Sequence, residues 1–413
     1  METHLAEFIR DTTAGREAEE ILRRCVHCGF CTATCPTYQL FGDELDGPRG
    51  RIYLIKQVLE GAPPTEKTLL HLDRCLSCRS CESTCPSGVH YSRLLDIGRA
   101  VVEQRVGRGG IDGVMRTTLK NLLPRATLFG VAMRLGQSVR LLLPSVLRAK
   151  VPPLTSAGPR PQGGHARKLI ALAGCAQPSM FPNINGATRR VLHRLGIEML
   201  EADGAGCCGA VRLHLNDAEA ARDDARRNID AWWPLLEAGA EGLVMTASGC
   251  GSHVLEYAHL LQDDPDYAMK AARVSLATRD VSEVIAAEAT ALSALLDRCA
   301  PLPEAERALA FHSPCSLQHG LKIRGTVEGL LGAAGYALVP VADAHLCCGS
   351  AGTYSVLQPA IAARLQANKI AALPAAAPRA IASANIGCIG HLQGATELPV
   401  RHWIELVDER LAS

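Results

Sequence analysis

Eight of the chain's 17 cysteines fall into two runs of identical spacing. The first run is Cys25, Cys28, Cys31 and Cys35, followed by Pro36. The second is Cys75, Cys78, Cys81 and Cys85, followed by Pro86. Both read C-x2-C-x2-C-x3-C-P, a spacing that suits an iron–sulfur cubane. A cubane needs four thiolates around a small inorganic core. Three cysteines on a tight loop wrap three corners, while the fourth points away, toward a neighbouring cluster. Cys25, Cys28, Cys31 and Cys85 are therefore expected to hold one 4Fe-4S cluster, and Cys75, Cys78, Cys81 and Cys35 a second. Zinc sites take four ligands, usually in two pairs, and eight cysteines at repeated offsets fit that poorly. The proline after each fourth cysteine is expected to turn the chain and start the next helix.

A second cysteine pattern occurs twice in the C-terminal half. One copy has Cys175, then Cys207-Cys208-Gly209, then Cys250 with His253 three residues on. The other has Cys315, then Cys347-Cys348-Gly349, then Cys388 with His391. The first interval is 32 positions in both copies. Each copy opens on an apolar run, LIALAG or ALAFHS, which reads as a buried strand. A helical segment follows, then a strand leading to Cys-Cys-Gly, then a longer helix and a third strand ending near the last cysteine. Strands alternating with helices imply parallel α/β units, whose ligand sites lie beyond the C-terminal ends of the strands. Each copy should therefore gather four thiols and one imidazole at one rim. Buried structural thiols and a tight turn are the alternative. Recurrence of the pattern in register, while the sequence between has diverged, favours a further cluster or metal. Cys299 has no counterpart and reads as incidental.

The elements that position the first two runs are helical. Gly47-Pro48 looks like a helix start and Gly61 its end, and Thr65 reads as the N-cap of a short helix leading into the Cys75 loop. The expected fold is α+β and multidomain: a helical two-cluster ferredoxin-type domain followed by a duplicated α/β Cys-Cys-Gly domain. The expected divisions are 1–98 for the cluster domain and 99–166 for a basic helical segment and linker. The first repeat then covers 167–260, a helical connector 261–306, and the second repeat 307–413. No dinucleotide-binding fingerprint, nucleophile elbow or phosphate loop occurs, and GRGG at 107–110 is only a Gly-rich turn.

The segments GDELDGPRGRIYLIK and HLDRCLSCRSCESTCPSGVHYSRLLDIGR, with the two Cys-Cys-Gly repeats, resemble the iron–sulfur subunits of glycolate oxidase (glycolate dehydrogenase) over essentially the whole chain. More distantly the layout resembles the cysteine-rich subunits of heterodisulfide reductase and anaerobic glycerol-3-phosphate dehydrogenase. The resemblance implies an electron-transfer subunit. An FAD-containing partner subunit would oxidise glycolate to glyoxylate, and this chain would carry electrons toward a quinone or other membrane acceptor. FAD is then expected only on the partner. In the heterodisulfide reductase relatives the repeat ends in Cys-x-x-Cys; here both copies end in Cys-x-x-His. Imidazole can replace thiolate at iron, generally raising the potential.

Net charge is +1, but it is unevenly spread. Residues 99–168 carry thirteen Lys and Arg against Glu103 and Asp112, a net +11, leaving −10 for the rest. Within this segment, residues 114–149 interleave basic and apolar residues, suiting amphipathic helices broken at Pro124 and Pro144. Such a surface suits anionic lipid, an acidic patch on the flavoprotein, or ordinary solvated packing. No recognition motif supports nucleic-acid binding. The N-terminus shows no signal-peptide pattern and no segment is apolar enough to span a bilayer. The expected location is cytoplasmic, peripheral on the inner membrane.

Overall fold

A computed structural model describes residues 1–373 and 378–412. The first hundred residues are helical. Thr12 caps the helix Thr13–Arg24, its Oγ1 accepting from the Gly15 amide at 2.9 Å. The helix Pro48–Leu59 begins directly after Gly47, with proline at its first position, and Thr65 caps Glu66–Asp73 in a reciprocal capping box. Pro48–Leu59 buries Ile52, Ile55, Val58 and Leu59 beside Leu94 and Leu95 of the helix Tyr91–Val106. Gly98 permits this approach, since a Cβ there would lie 2.6 Å from the Ile55 side chain. Pro36 opens the helix Pro36–Phe41, as expected. Pro86 does not repeat this. It enters a turn, and the next helix starts only at Tyr91.

One buried network ties this layer together. Asp46 has no exposed side-chain surface; its Oδ1 accepts from Arg51 at 3.4 Å and meets His71 Nδ1 at 3.0 Å. Its Oδ2 accepts from Arg74 at 2.7 Å. Arg51 in turn donates to the His71 carbonyl at 2.7 Å and to Thr37 Oγ1 at 3.2 Å.

The basic segment forms the helices Gly110–Leu122 and Ala126–Ser138, interrupted at Pro124, and a short turn of helix after Pro144. Not all of its charge faces outward freely. Arg108 and Arg116 both pair with Asp73, and Lys120 pairs with Asp217. Residues 152–166 form no helix or strand. Among the described residues, no helix is long and apolar enough to cross a membrane.

The C-terminal half contains two four-stranded parallel sheets of identical order. These are β2-β1-β3-β4 and β6-β5-β7-β8. In the first, β1 (Arg167–Ala171) lies between β2 (Ile197–Glu201) and β3 (Gly242–Met245), with β4 (Thr278–Asp280) outermost. In the second, β5 (Ala308–His312) lies between β6 (Ala337–Val339) and β7 (Ala380–Ser383), with β8 (Val400–His402) outermost. The central strands are covered on both faces, so they read as unbroken apolar runs. The outer strands do not follow the apolar-run pattern of the central ones. TRD and VRH are three residues long with an arginine at the centre, too short and too polar for a strand pattern. The segment 261–306, expected as a helical connector, thus also completes the first sheet.

The two repeats share one core. Ile184, Val191 and Leu192 of the helix Asn183–Arg194 belong to the same buried cluster as Trp403 and Val407 of the helix Trp403–Ala412. Across this seam Arg190 pairs with Asp408 at 2.7 Å, and buried His402 bonds the Thr246 carbonyl at 3.0 Å. The N-terminal layer touches both repeats. Arg79 and Arg93 pair with Glu256, while Tyr354 Oη donates to the Arg74 carbonyl at 2.9 Å and His319 bonds Ser83.

Removing one partner of a buried ion network strands the others without compensation, at about 3–5 kcal/mol. Asp46→Ala should therefore lower the urea midpoint of anaerobically prepared protein strongly. Glu20→Ala removes an exposed pair with Arg24 and should change stability by less than about 1 kcal/mol. Equal midpoints for the two variants would refute the role given to Asp46.

Candidate metal centres

The two C-x2-C-x2-C loops adopt one backbone shape. Residues on either side of the middle cysteine take positive φ: His27 (57°) and Gly29 (85°) around Cys28, Ser77 (53°) and Arg79 (61°) around Cys78. Side-chain-bearing residues rarely adopt this region, at roughly 1–2 kcal/mol each. Three of the four positions are not glycine, so both loops carry the same backbone strain at equivalent places. Ser77 N donates to Cys75 Sγ at 3.5 Å, an amide turned inward by this backbone shape.

Each loop lines a cavity with the fourth cysteine of the other run. One cavity is lined by Cys25, Cys28, Cys31 and Cys85 together with Ile52, Val89 and Tyr91. The other is lined by Cys35, Cys75, Cys78 and Cys81 together with Leu76, Thr37 and Arg51. Cys81 also lines the first, so it stands on the common wall.

The donor set fits a polynuclear cluster better than a single ion. Zinc–sulfur bonds of about 2.3 Å bring thiolates close together. No three ferredoxin-type thiols lie within 4.8 Å of one another; they surround a wider space. Burial pushes the Cys31 thiol up to about 11, and raises those of Cys25, Cys78 and Cys81. Four such groups become thiolates together only when iron charge replaces their protons.

Beside the second cavity lies Arg51, with 1% of its side chain exposed. Burial opposes its charge, but nearby Cys75, Cys35 and Asp46 more than offset this and raise its pKa. Tyr91 Oη donates to Cys75 Sγ at 3.6 Å.

The Cys-Cys-Gly repeats also assemble their thiols beyond the strand ends. Cys207 accepts from the Gly209 amide at 3.4 Å, and Cys347 from Gly349 at the same distance. Both glycines are left-handed, and a Cβ would lie 3.0 Å from the Ala221 carbonyl or 2.7 Å from that of Ala362. That clash explains the glycine of the motif. In the first repeat, neighbouring Cys175 and Cys208 hold the Cys207 pKa below the usual thiol range. Cys207 and Cys250 beside Cys208, with its burial, push the Cys208 thiol up. In the second, Cys315 Sγ lies 3.8 Å from Cys347 Sγ, and the sulfurs of Cys348 and Cys388 lie within 4.8 Å of each other.

The two predicted imidazoles are buried, each with Nε2 lacking a hydrogen-bond partner. Burial pushes the pKa of both His253 and His391 down to about 4. His253 packs edge-on against Tyr257, with Nε2 3.3 Å from where a Gly209 Cβ would be. Neither belongs to a set of three ligand atoms within 4.8 Å, among the described residues. A residue outside the expected list does: His312 groups with Cys348 and Cys388. Its signal was available by laying one repeat on the other. His312 stands three residues before Cys315, where the first repeat has Leu172 before Cys175. Asp43, Asp46 and His71 form the other close set, but Asp46 already neutralises Arg51 and Arg74. Cys299 only donates to the Leu295 carbonyl.

These features define a dicluster protein with a duplicated cysteine-rich domain. The 4Fe-4S dicluster domain family matches residues 21–89, and the cysteine-rich domain family matches 170–254 and again 309–393. The glycolate oxidase iron-sulfur subunit of Escherichia coli is 52% identical over 100% of this chain and 99% of its own length. The probable glycolate oxidase iron-sulfur subunit of Bacillus subtilis is 30% identical over 91% of this chain and 89% of its own. Lactate utilization protein A of an Exiguobacterium species is 26% identical over 57% of this chain and 94% of its own. The chain belongs to the family of glycolate oxidase iron–sulfur subunits.

Proposed function

We propose that the chain is the iron–sulfur electron-transfer subunit of a flavin-dependent glycolate dehydrogenase complex. In this reading it receives electrons from an FAD-containing glycolate oxidase subunit, where glycolate becomes glyoxylate, and passes them toward a quinone-type membrane acceptor. The observation that carries the reading is the pair of four-thiol cavities with Cys81 on their common wall. Cys25, Cys28, Cys31 and Cys85 would hold one 4Fe-4S cluster, and Cys75, Cys78, Cys81 and Cys35 the other.

A 4Fe-4S cluster, when bound, takes up and releases one electron at a time. The chain's own residues set the conditions for this. Ile52, Val89 and Tyr91 exclude water from the first cavity, and Leu76 and Tyr91 from the second. Arg51 and the Tyr91 hydroxyl stabilise added negative charge at the second cavity, so an electron favours that side. The first cavity is the one open to a partner: Cys28 is exposed, and Val26 and Phe30 beside it are 68% and 61% exposed. An apolar rim around an exposed ligand suits docking of the flavoprotein.

The helix Ala126–Ser138 supports a peripheral membrane contact. Leu128, Val131 and Leu135 fall on one face and are exposed, as are Leu141 and Leu142 just beyond it. Among the described residues, Arg125, Arg134, Arg140 and Arg148 form no ion pair with an acid, so their charge is available to anionic headgroups.

Three outcomes test this reading. Cys85→Ser should reduce the iron bound by anaerobically purified protein and perturb the cluster on the Cys25 loop, whereas Cys299→Ser should leave iron and spectra unchanged. The purified chain alone should not oxidise glycolate with any dye. Adding the flavoprotein should give glycolate-dependent reduction of its clusters, and Cys78→Ser should block flow to quinone while flavin reduction persists. Full quinone reduction by the flavoprotein without this chain would overturn the relay. Finally, the chain should co-sediment with anionic vesicles, and Leu135→Asp with Leu141→Asp should abolish this. Added salt should weaken it, since exposed charges are screened over about 8–10 Å at 0.1–0.15 M. Equal sedimentation with neutral vesicles would remove the electrostatic component.

A further inference from the structure

We propose that the second Cys-Cys-Gly repeat binds a polynuclear iron–sulfur group whose imidazole ligand is His312 rather than His391. The thiolates would come from Cys315, Cys347, Cys348 and Cys388.

His312 ends the strand β5, flanked by β6 and β7, so the sheet aims it at the rim where the thiols gather. It is 1% exposed, and neither ring nitrogen has a hydrogen-bond partner. Buried His319 bonds Ser83 and the His345 carbonyl, and His402 bonds the Thr246 carbonyl, while His253 and His391 each leave only Nε2 without a partner. A buried imidazole with both nitrogens unpartnered is rare without a ligand to complete it. The group that completes it is at hand, because a His312 nitrogen and the sulfurs of Cys348 and Cys388 lie within 4.8 Å of one another. Cys347 immediately precedes Cys348, and Cys315 lies 3.8 Å from Cys347, sulfur to sulfur.

Five donors exceed the four that a tetrahedral zinc or iron ion takes, which points to a group with more than one iron. Buried Lys369 lies close enough to Cys347, Cys348 and Cys388 for their charges to act on it, partly balancing the thiolates. His391 also has a nitrogen without a partner, but its ring sits beside the Cys348 and Ala362 carbonyls and outside the close set.

The two repeats therefore differ in chemistry. Leu172 takes the place of His312 in the first, and an aliphatic side chain cannot ligate. In the second repeat the thiols themselves pack against the ferredoxin-type layer. Cys78 and Leu76 pack in one cluster with Cys347 and Cys315. Exchanging a thiolate for a neutral imidazole makes an iron–sulfur group less negative and raises its potential. Resting on the relay reading above, the group would be the next acceptor after the cavity of Cys75, Cys78, Cys81 and Cys35.

The experiment uses full-length protein purified anaerobically with its flavoprotein partner, with iron and sulfide analysis and pulsed EPR on samples carrying 15N-histidine. Wild-type protein should hold iron beyond the eight atoms of two 4Fe-4S clusters. It should also show a nitrogen coupling that changes with the label. H312L should lose the excess iron and the coupling. H312C should keep the iron, lose the coupling and shift one midpoint potential downward. H391L should retain both. Iron of only eight in the wild type, excess zinc in its place, or a coupling that survives H312L or vanishes in H391L would overturn the proposal. Failure of the relay reading looks different: glycolate would not reduce the ferredoxin-type clusters in any variant, whatever the state of His312.

Discussion

A guanidinium buried among thiols and one carboxylate sets the geometry of the N-terminal layer. Arg51 reaches Thr37, just past the first cysteine run, and the His71 carbonyl, just before the second. Asp46 balances its charge, and Thr37 Oγ1 lies 3.3 Å from Cys35 Sγ. The fourth cysteine of the first run is thereby fixed at the cavity of the second loop. Charge buried this deeply tolerates little displacement, because each group is compensated only by the others. The crossing of the two runs, the sharing of a wall through Cys81 and the compactness of the layer all follow from that constraint.

The repeats solve a different problem. A parallel sheet ends its strands at one rim, so every loop leaving the rim can bring a side chain to a common point. Cys175 and Cys315 follow the first strand of each sheet, Cys-Cys-Gly follows the second, and Cys250 and Cys388 sit in helices that follow the third. The left-handed glycine brings the turn close against the Ala221 or Ala362 backbone, which no other residue allows.

The cysteine runs were legible because a cubane needs its ligands on one short loop, and that need is written in local spacing. The central strands were legible because burial on both faces leaves them uniformly apolar. What the sequence did not reveal depends on tertiary placement. β4 and β8 are strands only because a neighbouring strand offers its edge. Pro86 meets a turn where Pro36 meets a helix. The basic segment read as a uniform +11, yet Asp73 and Asp217, both outside it, hold three of its cations. His312 carries no local motif, because a lone histidine at a strand end has no characteristic spacing. Aligning the repeats singles the position out, and the fold groups His312 with Cys348 and Cys388.

The single core beneath both sheets has a consequence for how the duplication has aged. Because Ile184 and Val191 pack in one cluster with Trp403 and Val407, neither half can drift in shape without unsettling the other. The rim carries no such mutual dependence. Substitutions at the strand ends, such as leucine in one copy and histidine in the other, alter ligand chemistry while leaving the scaffold intact. Ancient twins joined in this way are held to the same architecture yet are free to diverge at the rim.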